Sequence, residues 1–154
     1  MTTAAAFDPQ HRQPPLPPSW AFRLGYAGLL PFALGAALVW LVREDAHPYV
    51  TAALSAYAAV IVSFLGGIHW GLAFRLPEPP RALLVWGVVP SLVAWLAVLM
   101  PAAAGLVVHG AMLAACYAVD RRIYPTQGVG HWLTLRFRLS AVASVSCFIG
   151  AAGS

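Results

Sequence analysis

Four long apolar runs cross this sequence without one Asp, Glu, Lys or Arg in any of them: Leu24 to Val42, Tyr49 to Phe74, Ala82 to Met100 and Ala102 to Val119. Each has about 18 residues or more, enough for an α-helix to cross a hydrocarbon core of about 30 Å. A backbone in lipid must satisfy its own hydrogen bonds, and a continuous apolar run does so as a helix. Composition supports the same environment: 60 % of the residues are hydrophobic and 9 % charged, against about 45–50 % and about 25 % in soluble domains. A 154-residue globule could not hide so much apolar surface from water. The expected fold is therefore an all-α polytopic membrane bundle, and both an ordinary soluble domain and a disordered chain are excluded.

A fifth run, Leu139 to Gly153, is shorter and serine-rich. It makes a fifth span, at about 137–153, if Arg136 and Arg138 reach back to the interface. Residues 1–19 are polar and proline-dense (Pro9, Pro14, Pro15, Pro17, Pro18) and read as a disordered cytoplasmic tail ahead of a transmembrane domain at 20–154. The tail lacks the apolar core and small-residue cleavage site of a secretory signal, so the first run is expected as an uncleaved helix.

Every cation is arginine. With five spans, eight arginines (12, 23, 75, 81, 121, 122, 136 and 138) share one side, and Arg43, beside Glu44 and Asp45, stands alone on the other. That asymmetry predicts N-terminus in and C-terminus out. No basic face is interleaved with aromatics, so nucleic acid is not a partner. Cys116 and Cys147 lie inside apolar runs, with no CxxC or zinc-ligand spacing, and read as small buried hydrophobes.

Ser63, Gly67 and Gly71 recur every four residues on the second span, with Ala52, Ala56 and Ala59 above them. Such a face lets helices approach closely in lipid, so Gly67 is expected at a close contact. Pro31 and Pro90 each free a backbone carbonyl, of Ala27 and Trp86, and both prolines are expected to face protein.

His69 is the most anomalous residue, in Gly66-Gly67-Ile68-His69-Trp70-Gly71 near the cytoplasmic end of the second span. An imidazole in hydrocarbon needs a partner, so it is expected to face protein or a small cavity. Because all five acids are placed outside the spans, its partner is sought on the third span. There the Trp86 carbonyl lies at matching depth, with Ser91 nearby and Gly66 leaving room for a neighbouring backbone. On the fourth span, His109, Met112 and Cys116 share a face. His109 and Cys116 are about 10 Å apart along the axis, which favours packing over a soft-metal site. His69 and His109 differ in depth by about 7–8 Å, poorly placed to share one haem. No catalytic, metal or cofactor set is read, and with no acid in a span a proton-coupled relay is not expected. The fourth loop, Asp120 to Arg138, holds most of the polarity, and Arg121, Arg122, Arg136, Arg138 and Trp132 are candidates for lipid headgroups.

Gly28-Leu-Leu-Pro-Phe32, Tyr57, Ser63-Phe-Leu-Gly-Gly-Ile-His-Trp-Gly71, Pro90-Ser-Leu92 and Asp120-Arg-Arg122 resemble the transmembrane protein 69 family, whose bacterial members carry a domain of unknown function numbered 3429. The likeness runs from about Trp20 to the C-terminus. The fourth loop departs from it, with Trp132-Leu133 where the family pattern has Trp-Tyr. The resemblance implies a multi-pass helical protein of bacterial inner membranes, or of mitochondria in eukaryotes, and implies no activity.

The resulting expectation is a non-enzymatic packing, assembly or scaffold component whose partners are the bilayer and a second copy or a larger membrane complex. Two alternatives stand beside it: a small transporter or pore subunit with a path near His69, and a haem or soft-metal protein using His69 or His109. The orientation is directly testable. Reporter fusions at Ala46 and at Ser154 are both expected to read periplasmic; a cytoplasmic reading at Ala46 overturns the orientation, and one at Ser154 alone removes the fifth span.

Overall fold

The computed structural model of the protein describes residues 16–154; most of the proline-dense tail, residues 1–15, lies outside them. All regular structure among the described residues is helical: α1 (Ser19–Ala27), α2 (Leu30–Leu41), α3 (His47–Ala73), α4 (Arg81–Val98), α5 (Ala102–Thr126), a short 3-10 turn at Gly130–Trp132, and α6 (Leu133–Ala152). Among the described residues five stretches are long and apolar enough to cross a membrane, α1 and α2 together forming the first. Proline punctuates them. Pro18, Pro80 and Pro101 stand immediately before α1, α4 and α5, and Pro31 and Pro48 lie in the first turns of α2 and α3. At those positions the missing N–H would have no helical partner anyway.

The helix α3 packs on α2, α4, α5 and α6, and α6 in turn holds α1, α2 and α5. The core between them is apolar: Phe32 from α2, Leu54, Ala58 and Val62 from α3, Leu106 and Leu113 from α5, Cys147 from α6. Outward positions such as Leu34, Trp40, Val60, Phe64, Trp95 and Phe148 are exposed and apolar, as a lipid-facing surface requires. The fifth span is present, but not by snorkelling of both arginines. Arg138 is exposed with Nη1 3.3 Å from the Tyr26 hydroxyl, whereas Arg136 turns into the bundle.

The two prolines behave differently. Pro90 is buried inside α4 as expected. Pro31 is exposed, because the chain breaks at Gly28-Leu29 and restarts as α2, which puts Pro31 in a first turn where it leaves little unsatisfied. The Gly28 carbonyl at that break accepts a 2.8 Å hydrogen bond from the Tyr57 hydroxyl of α3.

The close helix contact is at Gly66, and the expectation for Gly67 is corrected. A Cβ on Gly66 would lie 2.5 Å from the Gly87 carbonyl and 3.3 Å from Pro90, whereas one on Gly67 or Gly71 would meet nothing within 4 Å. Gly66 continues the buried series Leu54, Ala58, Val62 and Leu65 on α3; Gly67 is one residue, about 100°, further round and faces outward. Trp70, also on the rim, donates from Nε1 to the Leu84 carbonyl at 3.0 Å and lies where a Cβ on Gly87 would be. Gly66→Ala should therefore destabilise by about 1–3 kcal/mol, because backbone must move. Gly67→Ala should be neutral or stabilising by about 0.5–1 kcal/mol, because alanine is the better helix former and the space is open. Unfolding in mild detergent measures both; equal losses contradict the assignment.

Candidate functional site: a buried His–Asp–Arg cluster

The helix α5 does not stop where its apolar run stops. It continues through Thr126, because Asp120 extends the face carrying Leu106, His109, Leu113 and Cys116 at three- and four-residue steps. Asp120 is thus inside a span and 1 % exposed. This corrects two expectations at once: that every acid lies outside the spans, and that Asp120 to Arg138 is a loop.

Three helices converge on its carboxylate. Arg136, one turn into α6, donates to Oδ2 from Nε at 2.9 Å and from Nη2 at 2.5 Å. His69, one turn from the end of α3, holds Nε2 3.3 Å from Oδ1. One carboxylate oxygen takes both guanidinium hydrogen bonds, and the other faces the imidazole without a hydrogen bond to it. His69 Nδ1 lies 3.3 Å from the Leu65 carbonyl on its own helix. A neutral imidazole has one N–H; with Nδ1 donating to Leu65, Nε2 faces Asp120 without a hydrogen bond. The Tyr124 ring, one turn beyond Asp120, is tilted against His69 at 6.4 Å between centroids. His69 and Arg136 are 1 % and 8 % exposed. As expected, His69 faces protein. Its ionisable neighbour is Asp120 rather than the Trp86 carbonyl, and His69 Nε2, Asp120 Oδ1 and the Trp86 indole N–H are each buried without a hydrogen-bond partner.

The cluster lies at one end of the bundle, where α3 and α5 finish and α6 begins. Arg121, Arg122 and Arg138 are exposed around it and Trp132 is half-buried. Of the arginines and Trp132 read as headgroup candidates, Arg136 alone is withdrawn into protein. Ser91 is half-buried on α4 and takes no part in the cluster.

His109 forms a second, uncharged junction near the middle of α5. Its Nδ1 lies 3.4 Å from the Ser55 hydroxyl of α3 and its Nε2 3.4 Å from the Ala94 carbonyl of α4. Close approach here is permitted by Gly105, whose Cβ would stand 2.5 Å from the Ala97 carbonyl. Met112 and Cys116 are buried beside it as packing residues. Among the described residues no three His, Cys, Asp or Glu side chains cluster as metal ligands would.

Arg136 and Asp120 depend on each other, because either one alone would be an uncompensated charge in apolar surroundings. Asp120→Leu or Arg136→Met alone should destabilise by about 3–5 kcal/mol, and the double variant should recover most of that loss. A thermodynamic cycle on unfolding in detergent measures the coupling; additive losses contradict the pairing.

Residues 17–152 match the family described as Protein of unknown function (DUF3429). The chain is 37 % identical over 142 residues to Transmembrane protein 69 of Xenopus tropicalis, an alignment covering 86 % of this chain and 53 % of that protein. It therefore spans about half the length of the curated relative it matches. No solved structure matches it. With five apolar helices and a match over nearly its whole length, the chain belongs to the DUF3429 family of multi-pass membrane proteins, a family of unknown function.

Proposed function

We propose that the protein is a non-enzymatic structural component of a bacterial inner membrane, a pre-organised bundle that packs against a second copy or against other membrane helices. The observation that carries this reading is that the charged cluster joins helices of the same bundle. The Asp120 carboxylate faces Arg136 and His69, each of the three from a different helix, so its polarity ties helices together within the bundle. What the bundle presents outward is apolar, and on α3 it includes the exposed small residues Ala52, Ala56, Gly67 and Gly71. Residues of that kind permit close helix approach in lipid. The arginine asymmetry supports an N-in orientation; without Arg136, which is buried, seven of the original eight still oppose one.

A second reading, a small transporter with its path near His69, is favoured by one specific observation. Asp120 supplies the intramembrane acid that a proton relay needs, 3.3 Å from an imidazole. Its engagement by both Nε and Nη2 of Arg136 weighs toward a fixed structural role. For the haem or soft-metal reading the geometry is unfavourable, since both ring nitrogens of His69 and of His109 face protein groups.

Affinity purification from native membranes in mild detergent separates the readings. A second copy or another membrane protein should co-purify in fixed ratio. The Gly67→Leu/Gly71→Leu variant should lose it while keeping the melting temperature of the isolated bundle, because those Cβ positions meet nothing in the chain itself. A solitary monomer that carries protons or solute across vesicle membranes contradicts the proposal and supports the transport reading.

A further inference from the structure

Beside the charged cluster, between α1, α3 and α6, lies a cavity of about 510 Å³. That is within the range of about 300–1,000 Å³ typical of small-molecule sites. It exists because α1 packs on α6 and makes no comparable contact with α3. Leu24 of α1 and Phe64 of α3 line it and are 70 % and 64 % exposed, so it opens sideways onto the apolar surface rather than toward water. Its walls are almost wholly aliphatic and aromatic. The polar exceptions, Arg136, Ser140 and Tyr124, lie together next to the cluster.

Two of these groups are left with hydrogen-bonding capacity. The Ser140 hydroxyl is buried, the residue being 4 % exposed, and has no partner. Arg136 gives Nε and Nη2 to Asp120, and Nη1 stands outside that pair. A buried hydroxyl without a partner carries a free-energy cost that an incoming acceptor would relieve. The charge balance then decides what kind of acceptor fits. Arg136 is already neutralised by Asp120, so a carboxylate or phosphate brought to this end would add an unpaired negative charge beside an existing one. An uncharged acceptor, such as a hydroxyl or a carbonyl oxygen, would not.

We infer that this cavity is a binding site for an uncharged single-chain membrane lipid. Its apolar chain lies along the α1–α3 gap, and its head accepts hydrogen bonds from Ser140 and Arg136. The site is separate from the outward face of α3 invoked for helix association, and each stands or falls alone.

Native mass spectrometry of the full, delipidated chain in detergent, titrated with monoolein and separately with oleate, tests the site. One monoolein should bind per protein, at least tenfold more tightly than oleate. Ser140→Ala should weaken monoolein about threefold to tenfold, the loss of one hydrogen bond. Ala21→Trp, which fills the α1 side of the cavity, should abolish binding. Melting temperatures report whether each variant is folded; should Ala21→Trp fail to fold, Ser140→Ala and the oleate comparison still decide. Oleate binding as tightly as monoolein, unsaturable binding, or unchanged binding in Ser140→Ala would each overturn the proposal.

Discussion

An ionised carboxylate inside an apolar bundle cannot be left alone, and the structure is arranged around that constraint. Asp120 lies near the end of α5, 1 % exposed. Two other helices face its two oxygens: α6 hydrogen-bonds Arg136 to one, and α3 places His69 3.3 Å from the other. A charge-assisted contact of this kind has a narrow geometry. The Arg136 pair therefore sets the rotation of α6 about its axis, and with it the choice of residues that reach the core. Apolar packing alone discriminates weakly between such rotations, since lipid is as apolar as the bundle interior. Buried ionic groups often add little net stability, and specifying one arrangement among several similar ones is the role that suits this cluster.

The remaining polar contacts act in the same sense with less at stake. His109 joins α5 to Ser55 on α3 and Ala94 on α4, Tyr57 joins α3 to the break in the first span, and the Ser144 hydroxyl of α6 donates to the Gly110 carbonyl of α5 at 2.8 Å. Each is a contact between neighbouring helices, and each pair is brought close by packing of small residues or by a break in a helix. The glycines that matter are those facing a neighbour, among them Gly66 and Gly87 at the α3–α4 crossing, Gly105 at the α4–α5 crossing and Gly110 at the α5–α6 crossing. The cavity is the counterpart of these tight contacts. Where α1 is held by α6 but not by α3, space is left, and it ends beside the buried, unpartnered Ser140 hydroxyl.

The number of spans and the burial of His69 were legible in the sequence, because uncharged runs of sufficient length have few alternatives in a bilayer. The partner of His69 was not, for a reason that is itself physical. A charged residue directly after an apolar run marks the end of a span when it faces lipid or water, and Asp120 has that position. When it faces protein the helix continues, and the signal is periodic rather than compositional: Leu113, Cys116, Asp120 and Tyr124 follow one another on one face. Arg136 shows the same on α6, in step with Ser140, Ser144 and Cys147. A count of arginines per side cannot distinguish an anchoring arginine from one paired inside. The stripe of small residues misled for a related reason. Spacing establishes that Ser63, Gly67 and Gly71 share a face, but not whether that face meets a helix of the same chain; the neighbouring series through Val62 and Gly66 does. The exposed arginines around Trp132 follow from composition alone, whereas the cavity depends on which helices touch and had no signature in the sequence.

The arrangement of the bundle depends on Asp120 and Arg136 meeting inside it, and that contact is measurable as a distance. In protein reconstituted into bilayers, solid-state NMR can record dipolar coupling between a labelled Arg136 guanidinium and the labelled carboxylate carbon of Asp120. The expected result is strong coupling, corresponding to the nitrogen–oxygen contact of 2.9 Å at Nε. A guanidinium with no coupling to Asp120 and mobile like those of the surface arginines would contradict it, because α6 would then be free to turn and the cluster would not hold the helices.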